Sequence, residues 1–266
     1  MVASVLVLSA VLVVQTPRGV VGNPLPLAAL SGDRSGQVPS HPQNPKSPAN
    51  PRRPLWKLAS DVGSDFVHIP SLGNAVIAAG GGTAALLVHP YDDNFNNHLI
   101  SKGWTHTAFL PGKVIGYGWT QFSAAGITMM WGRHYKEPKV VHIGTDLLRA
   151  QILTQLITLA IKESVRRERP DKSGGFSFPS GHASVTFASA TVLQRHFGWK
   201  AWPAYTIASY VAASRLHENR HFASDVIFGA AVGAICGRTT TRHGRGNWAM
   251  LPIGGPGTIG ILVAHR

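Results

Sequence analysis

The sequence is short of acid and nearly without cysteine. Its 266 residues hold 12 Asp and Glu against 25 Lys and Arg, a formal net charge of +13, yet only 14% of residues are charged. Cys236 is the single cysteine, which excludes an intramolecular disulfide and a cysteine-based metal site. Within "GAAVGAICG" it reads as a small buried apolar residue. No helix-turn-helix, zinc-finger or aromatic-platform signature organises the arginines, so nucleic acid is not an expected partner. "AAGGGTAA" lacks the Gly-Lys-Ser/Thr ending of a phosphate loop, which argues against a nucleotide site. Internal repeats are missing too. What remains is an apolar body carrying cations, suited to an anionic ligand.

The chain opens on "MVASVLVLSAVLVVQT", residues 1–16, which reads as a signal peptide or weak anchor lacking the usual leading Lys or Arg. Residues 17–57, rich in Pro, Ser and Asn, read as a flexible linker. Residues 58–266 are read as one helical bundle domain. Ser71–His89 and Val114–Gly132 contain no Asp, Glu, Lys or Arg and approach the roughly 20 residues of a membrane span. Asp146–Ile161, Ser180–Gln194, Ala201–Ser214 and Asp225–Gly237 are shorter and apolar around most of their circumference. The expected fold is therefore all-α, about six apolar helices with the active site at their ends. "NWAMLPIGGPGTIGILVAHR" reads as a small C-terminal hairpin.

Three segments carry the chemistry. In "KESVRRERP", Lys162 and Arg169 are two helical turns apart, and Pro170 should end the helix with both cations at its mouth. Alone, such a pair reads more often as surface charge complementing a helix dipole than as a ligand site. In "FPSGHAS", Ser180 is a good N-cap, Gly181 permits close approach to the backbone, and His182 stands in the first turn, where exposed amides favour an anion. In "SRLHENRHFASD", Arg215 offers a fork of donors matched to phosphate. His221 and Asp225 are four apart, so the carboxylate is placed to hold one imidazole nitrogen or to cap the next helix. His217 and Arg220 are read as loop residues.

Together these segments resemble the type 2 phosphatidic acid phosphatase family, which shares its fold with the vanadium haloperoxidases. The family pattern is Lys, six residues, Arg-Pro; then Pro-Ser-Gly-His; then Ser-Arg, five residues, His, three residues, Asp. Lys162, Arg169-Pro170, Pro179-Ser180-Gly181-His182, Ser214-Arg215, His221 and Asp225 fit it in order and spacing. The match covers roughly residues 140–238.

The resemblance implies that Lys162, Arg169 and Arg215, with backbone amides around Ser180 and Gly181, clamp the phosphoryl oxygens. His221 is then the nucleophile, held by Asp225, and His182 protonates the leaving alkoxide. No metal and no cofactor are expected at this pocket. The substrate class implied is a phosphate monoester or diphosphate of a lipid, with membrane association and a cell-envelope location, the active site being extracytoplasmic. A broad-specificity periplasmic acid phosphatase and a vanadium-dependent haloperoxidase are the alternatives. The chain is short and apolar for the latter. Asp171 and Lys172 are expected at the pocket mouth. "HPYDDNFNNH" reads as a polar turn rather than a metal site. Trp104, Trp119, Trp131, Trp199 and Trp202 fit either an interfacial belt or a core.

Overall fold

The computed structural model describes residues 56–100, 104–242, 248–255 and 258–265. The signal or anchor segment and nearly all of the linker lie outside them. Trp56 and Lys57, assigned above to the linker, instead begin a helix. Among the described residues nine α-helices form: α1 (Trp56–Val67), α2 (Leu72–Val88), α3 (Asp92–Leu99), α4 (Trp104–Ile115), α5 (Gly118–His134), α6 (Pro138–Val165), α7 (Gly181–Phe197), α8 (Trp202–His217) and α9 (Ala223–Thr240). The C-terminal hairpin forms as a two-stranded sheet of β1 (Trp248–Gly255) and β2 (Thr258–His265).

The count exceeds six for local reasons. Polar stretches supply α1 and α3, and the expected span Val114–Gly132 is broken between Ile115 and Gly118. At that break Gly116 lies so close to α7 that a Cβ would come within 2.5 Å of the His182 ring. The longest helix, α6, starts with Pro138, whose fixed φ suits a first turn. It ends not at Pro170 but at Arg166, which adopts a left-handed conformation (φ 48) and donates its amide to the Lys162 carbonyl. Lys162 is thus on the helix and Arg169 is not. Of the two expected spans, the stretch Leu72–Leu99 is long and apolar enough to cross a membrane.

Helix α7 lies at the centre, packed against α6, α8 and α9. Ala188 and Val192 of α7 join Leu147, Leu148 and Ala150 of α6 and Met129 of α5 in the main apolar core. Against α9 the contact is backbone to backbone. A Cβ on Gly229, Gly233 or Gly237 would fall no more than 2.6 Å from the carbonyl of Ser180, Ser184 or Ala188 respectively. Glycine every fourth residue presents one bare stripe, which lets two helices close to van der Waals contact of their main chains. The consequence is positional: the first turns of α7 and α9 are held side by side.

Large apolar side chains elsewhere face outward. Trp119, Trp131, Trp199 and Trp202 are all exposed, as are Leu86, Leu87, Ile127 and Met130. These four tryptophans therefore do not fill a core.

Candidate active site

The paired first turns of α7 and α9 collect the residues of the three segments. Asp225 lies in the first turn of α9, its carboxylate accepting the Phe222 amide at 2.9 Å. The same Oδ2 accepts the Ser177 hydroxyl at 2.5 Å, and Oδ1 accepts Arg167 at 2.7 Å. Its helix-capping role and its place in the site therefore coexist. Burial raises the Asp225 pKa, but His221, the Ser177 hydroxyl, the Phe222 amide and Arg167 outweigh it and hold the carboxyl below the usual range.

His221 is buried, with Nδ1 2.7 Å from the Ser177 carbonyl and 3.8 Å from Asp225. A carbonyl only accepts, so Nδ1 carries the hydrogen and Nε2 keeps its lone pair. Asp225 thus acts on His221 mainly through Ser177 and as a nearby charge, rather than by the direct bond expected from the four-residue spacing. Burial, partly opposed by Asp225, lowers the His221 pKa and keeps the ring neutral.

Ser180 occupies the N-cap position of α7, yet its hydroxyl makes no capping bond. Its amide is also spent, donating to the Asp225 carbonyl at 3.0 Å, so the Ser180 N–H is not available to a phosphate. The amides that follow, from Gly181 onward, lie in the first turn and have no acceptor within the helix. Ser180 Oγ, His182 Nε2 and Arg169 Nε are buried polar atoms without a hydrogen-bond partner in the protein. Such atoms are costly unless a ligand satisfies them.

The cations surround this point. Lys162, in the last turn of α6, donates to the Phe176 carbonyl at 2.5 Å. Its methylene chain lies beside Gly181. Burial, with Arg169 alongside, lowers its pKa from 10.5 to about 8. Arg169 reaches it not along a helix face but through a loop that folds back, its amide bonding the Gly174 carbonyl beside an antiparallel bridge from Glu168 to Gly175. Arg215 is 4% exposed and bonds Glu218 at 2.6 Å. For His182, burial, Arg215 and His221 together lower the pKa from 6.5 to about 3, although the Lys113 backbone bonds the ring. The predicted residues Lys162, Arg169, Ser180, Gly181, His182, Arg215, His221 and Asp225 therefore gather at one place.

Other residues join them without a motif to announce them. Arg167 bridges Asp225 and Asp92, donating to Asp92 at 2.8 Å, and lies over the Phe222 ring. Asp92 also accepts the Ser224 amide at 3.0 Å and the Ser224 hydroxyl. "HPYDDNFNNH" is thus a 3₁₀ turn, His89–Tyr91, leading into helix α3 with one buried structural carboxylate. Tyr117 packs its ring 5.2 Å from His182. Arg220 is no idle loop residue: it bonds Asp171 at 2.8 Å and Ser173 at 2.9 Å, tying the mouth of the pocket. His217 ends α8 and stacks on Phe109.

Comparison with known proteins bears on this region. Residues 143–248 match the model of the PAP2 superfamily. The lipid A 1-phosphatase of Porphyromonas gingivalis is 32% identical over 164 residues, 58% of this chain and 35% of that protein. The lipid A 4′-phosphatase of the same organism is 26% identical over 180 residues, 60% of this chain and 70% of that protein. The decaprenylphosphoryl-5-phosphoribose phosphatase of Mycobacterium tuberculosis is 34% identical over 99 residues, 34% of this chain and 55% of that protein. The chain thus spans about a third of the length of the first of these relatives. Among solved structures, LpxE of Aquifex aeolicus aligns at a TM-score of 0.47 and 22% identity, covering 56% of this chain and 91% of that one. The transmembrane PAP2 type phosphatidylglycerolphosphate phosphatase of Bacillus subtilis aligns at 0.46 and 24%, covering 68% and 94%.

Proposed function

Since residues 143–248 belong to the PAP2 superfamily, we propose that the protein is a phosphatase that hydrolyses lipid phosphates through a phosphohistidine formed on His221. The observation that carries this reading is the convergence of three unsatisfied buried polar atoms, on Ser180, His182 and Arg169, among the cations of Lys162 and Arg215. A phosphoryl group fits that deficit, since its oxygens accept from Ser180 and Arg169 and, once the ring is protonated, from His182.

In the proposed reaction the neutral Nε2 of His221 attacks phosphorus as the bond to the ester oxygen breaks. Lys162, Arg169 and Arg215 offset the charge on the equatorial oxygens, where stabilisation of the transition state is most effective. The departing alkoxide takes a proton from His182. That ring is kept neutral by burial and, secondarily, by Arg215 and His221. A bound phosphoryl dianion reverses the local field and lets it carry the proton. Water then attacks phosphorus as the bond to His221 Nε2 breaks, giving a proton to His182 and freeing inorganic phosphate and His221. Asp225 stabilises the positive charge that His221 bears in the intermediate.

The lipid assignment is supported by the outward-facing apolar side chains, by the stretch Leu72–Leu99, and by relatives named for lipid A and decaprenylphosphoryl substrates. We place the protein at the cell envelope, membrane-associated, with the pocket on the extracytoplasmic side. The test is phosphate release by the full chain in detergent, with EDTA present, from lipid A, phosphatidate, a polyprenyl diphosphate and a soluble aryl phosphate. Release from one or more lipids above the aryl phosphate is expected. Preference for the aryl phosphate would overturn the lipid assignment, and vanadate-dependent bromide oxidation without phosphate release would overturn the hydrolase.

A further inference from the structure

Far from the phosphate pocket, α6 and α7 bring together a second set of chemical groups: His142, Asp146 and His196. His196 lies about 21 Å along α7 from His182 at 1.5 Å per residue. Asp146 is 1% exposed, and its two oxygens face different partners. Oδ1 accepts from Arg149 Nη1 at 3.4 Å. Arg149 is itself clamped on both oxygens of Asp65, through Nε at 2.8 Å and through Nη2. Oδ2 faces two imidazoles, with Nε2 of His196 at 2.9 Å and Nε2 of His142 at 3.6 Å.

One hydrogen bond accounts for His196. Nε2 of His142 is directed at the same oxygen at 3.6 Å. The two rings stand edge to face at 86°, and the ligand atoms of all three residues lie within 4.8 Å of one another. Around tetrahedral zinc, with bonds of about 2.0–2.1 Å, ligand atoms sit roughly 3.3–3.5 Å apart. Nε2 of His142 at 3.6 Å and Nε2 of His196 at 2.9 Å from Asp146 Oδ2 bracket that spacing. Two imidazoles and one carboxylate are the donor types that zinc favours. Arg149 holds the carboxylate from behind, as outer partners orient ligands in metal sites, while Asp65 answers its charge.

We propose that His142, Asp146 and His196 bind a divalent cation of the zinc class, which clamps the start of α6 to the end of α7, with water completing the coordination. The site is structural. Its distance from His182 keeps it out of the hydrolytic chemistry, and it stands whether or not the phosphatase reading does.

The experiment uses the full chain stripped by chelator, then titrated with Co2+ alone and with Zn2+ alone. Calorimetry, visible absorption and thermal unfolding are the readouts. One equivalent should bind, with the intense visible bands of four-coordinate cobalt, and zinc should displace it. Saturating zinc should raise Tm by about 5 °C or more. His142→Ala, at a half-exposed position, should keep the fold and lose at least tenfold in affinity. His196→Gln, which retains a donor for Asp146, should lose affinity likewise. Phosphate release by both variants should match the parent below their unfolding temperatures. Zinc binding that survives in the His142→Ala, His196→Gln double variant, or that inorganic phosphate displaces, would overturn the site, as would the absence of binding.

Discussion

At the scale of single residues, the proposed reaction makes unequal demands on its two histidines. His221→Ala should lower turnover by about 10³-fold or more, the loss typical of deleting a nucleophile. His182→Ala should cost about 10²–10⁴-fold with an alkyl phosphate, as expected for a lost general acid. The cost should be far smaller with a nitrophenyl ester, whose leaving group needs no proton. Comparison of kcat for the two esters checks this. Lys162 sets the alkaline limit. Its pKa is lowered to about 8 by burial and by Arg169, so it loses its charge as pH rises through that value, and kcat/KM should fall there. Lys162→Arg keeps the charge at all working pH. The alkaline limb of its kcat/KM profile should therefore move upward, and an unmoved limb would assign it to another group.

At the scale of elements, the glycine stripe of α9 and the Arg167 bridge do the positioning. Gly233→Ala puts a methyl group against the Ser184 carbonyl and the Ala188 amide, where there is no room. It should destabilise the protein by about 1–3 kcal/mol, read as a fall in Tm, and lower kcat by separating the two first turns. Arg167→Ala leaves Asp92 and Asp225 buried without their shared cation. Arg167 is partly solvated, so the cost should lie at the lower end of the about 3–5 kcal/mol seen on breaking buried pairs. Arg167→Lys should restore stability better than it restores kcat, since a lysine cannot span both carboxylates with a fixed fork. These elements also mark how far the sequence could be read. Ser180, His182, His221 and Asp225 were legible because their spacing is fixed by the local turn each belongs to. Arg167, Asp92 and Ser177 were not, since what joins them is a loop folding back across residues 92, 167 and 225, and no local period records that. The extent of α6 escaped for a related reason: its end is set by one left-handed residue, Arg166, of a type with no strong preference for that conformation.

At the scale of the whole molecule, the two ends of the bundle separate stability from chemistry. EDTA should leave phosphate release unchanged at low temperature, because the pocket supplies its positive charge from Lys162, Arg169 and Arg215. The same treatment should lower Tm if zinc holds α6 to α7. Measuring turnover and unfolding on one EDTA-treated sample checks both, and a loss of turnover restored by a divalent metal below the unfolding temperature would contradict the metal-free pocket.

The unsatisfied groups of Ser180, Arg169 and His182 are buried in place before any ligand arrives. In the proposed reaction Ser180 and Arg169 meet phosphoryl oxygens, His182 meets the bridging oxygen, and none of them touches the rest of the alcohol. Free inorganic phosphate then offers the pocket everything it is built to recognise, so the protein would be a competitive target of its own product. Its working rate would follow the phosphate level of its surroundings, slowing where phosphate is plentiful and running freely where phosphate is scarce.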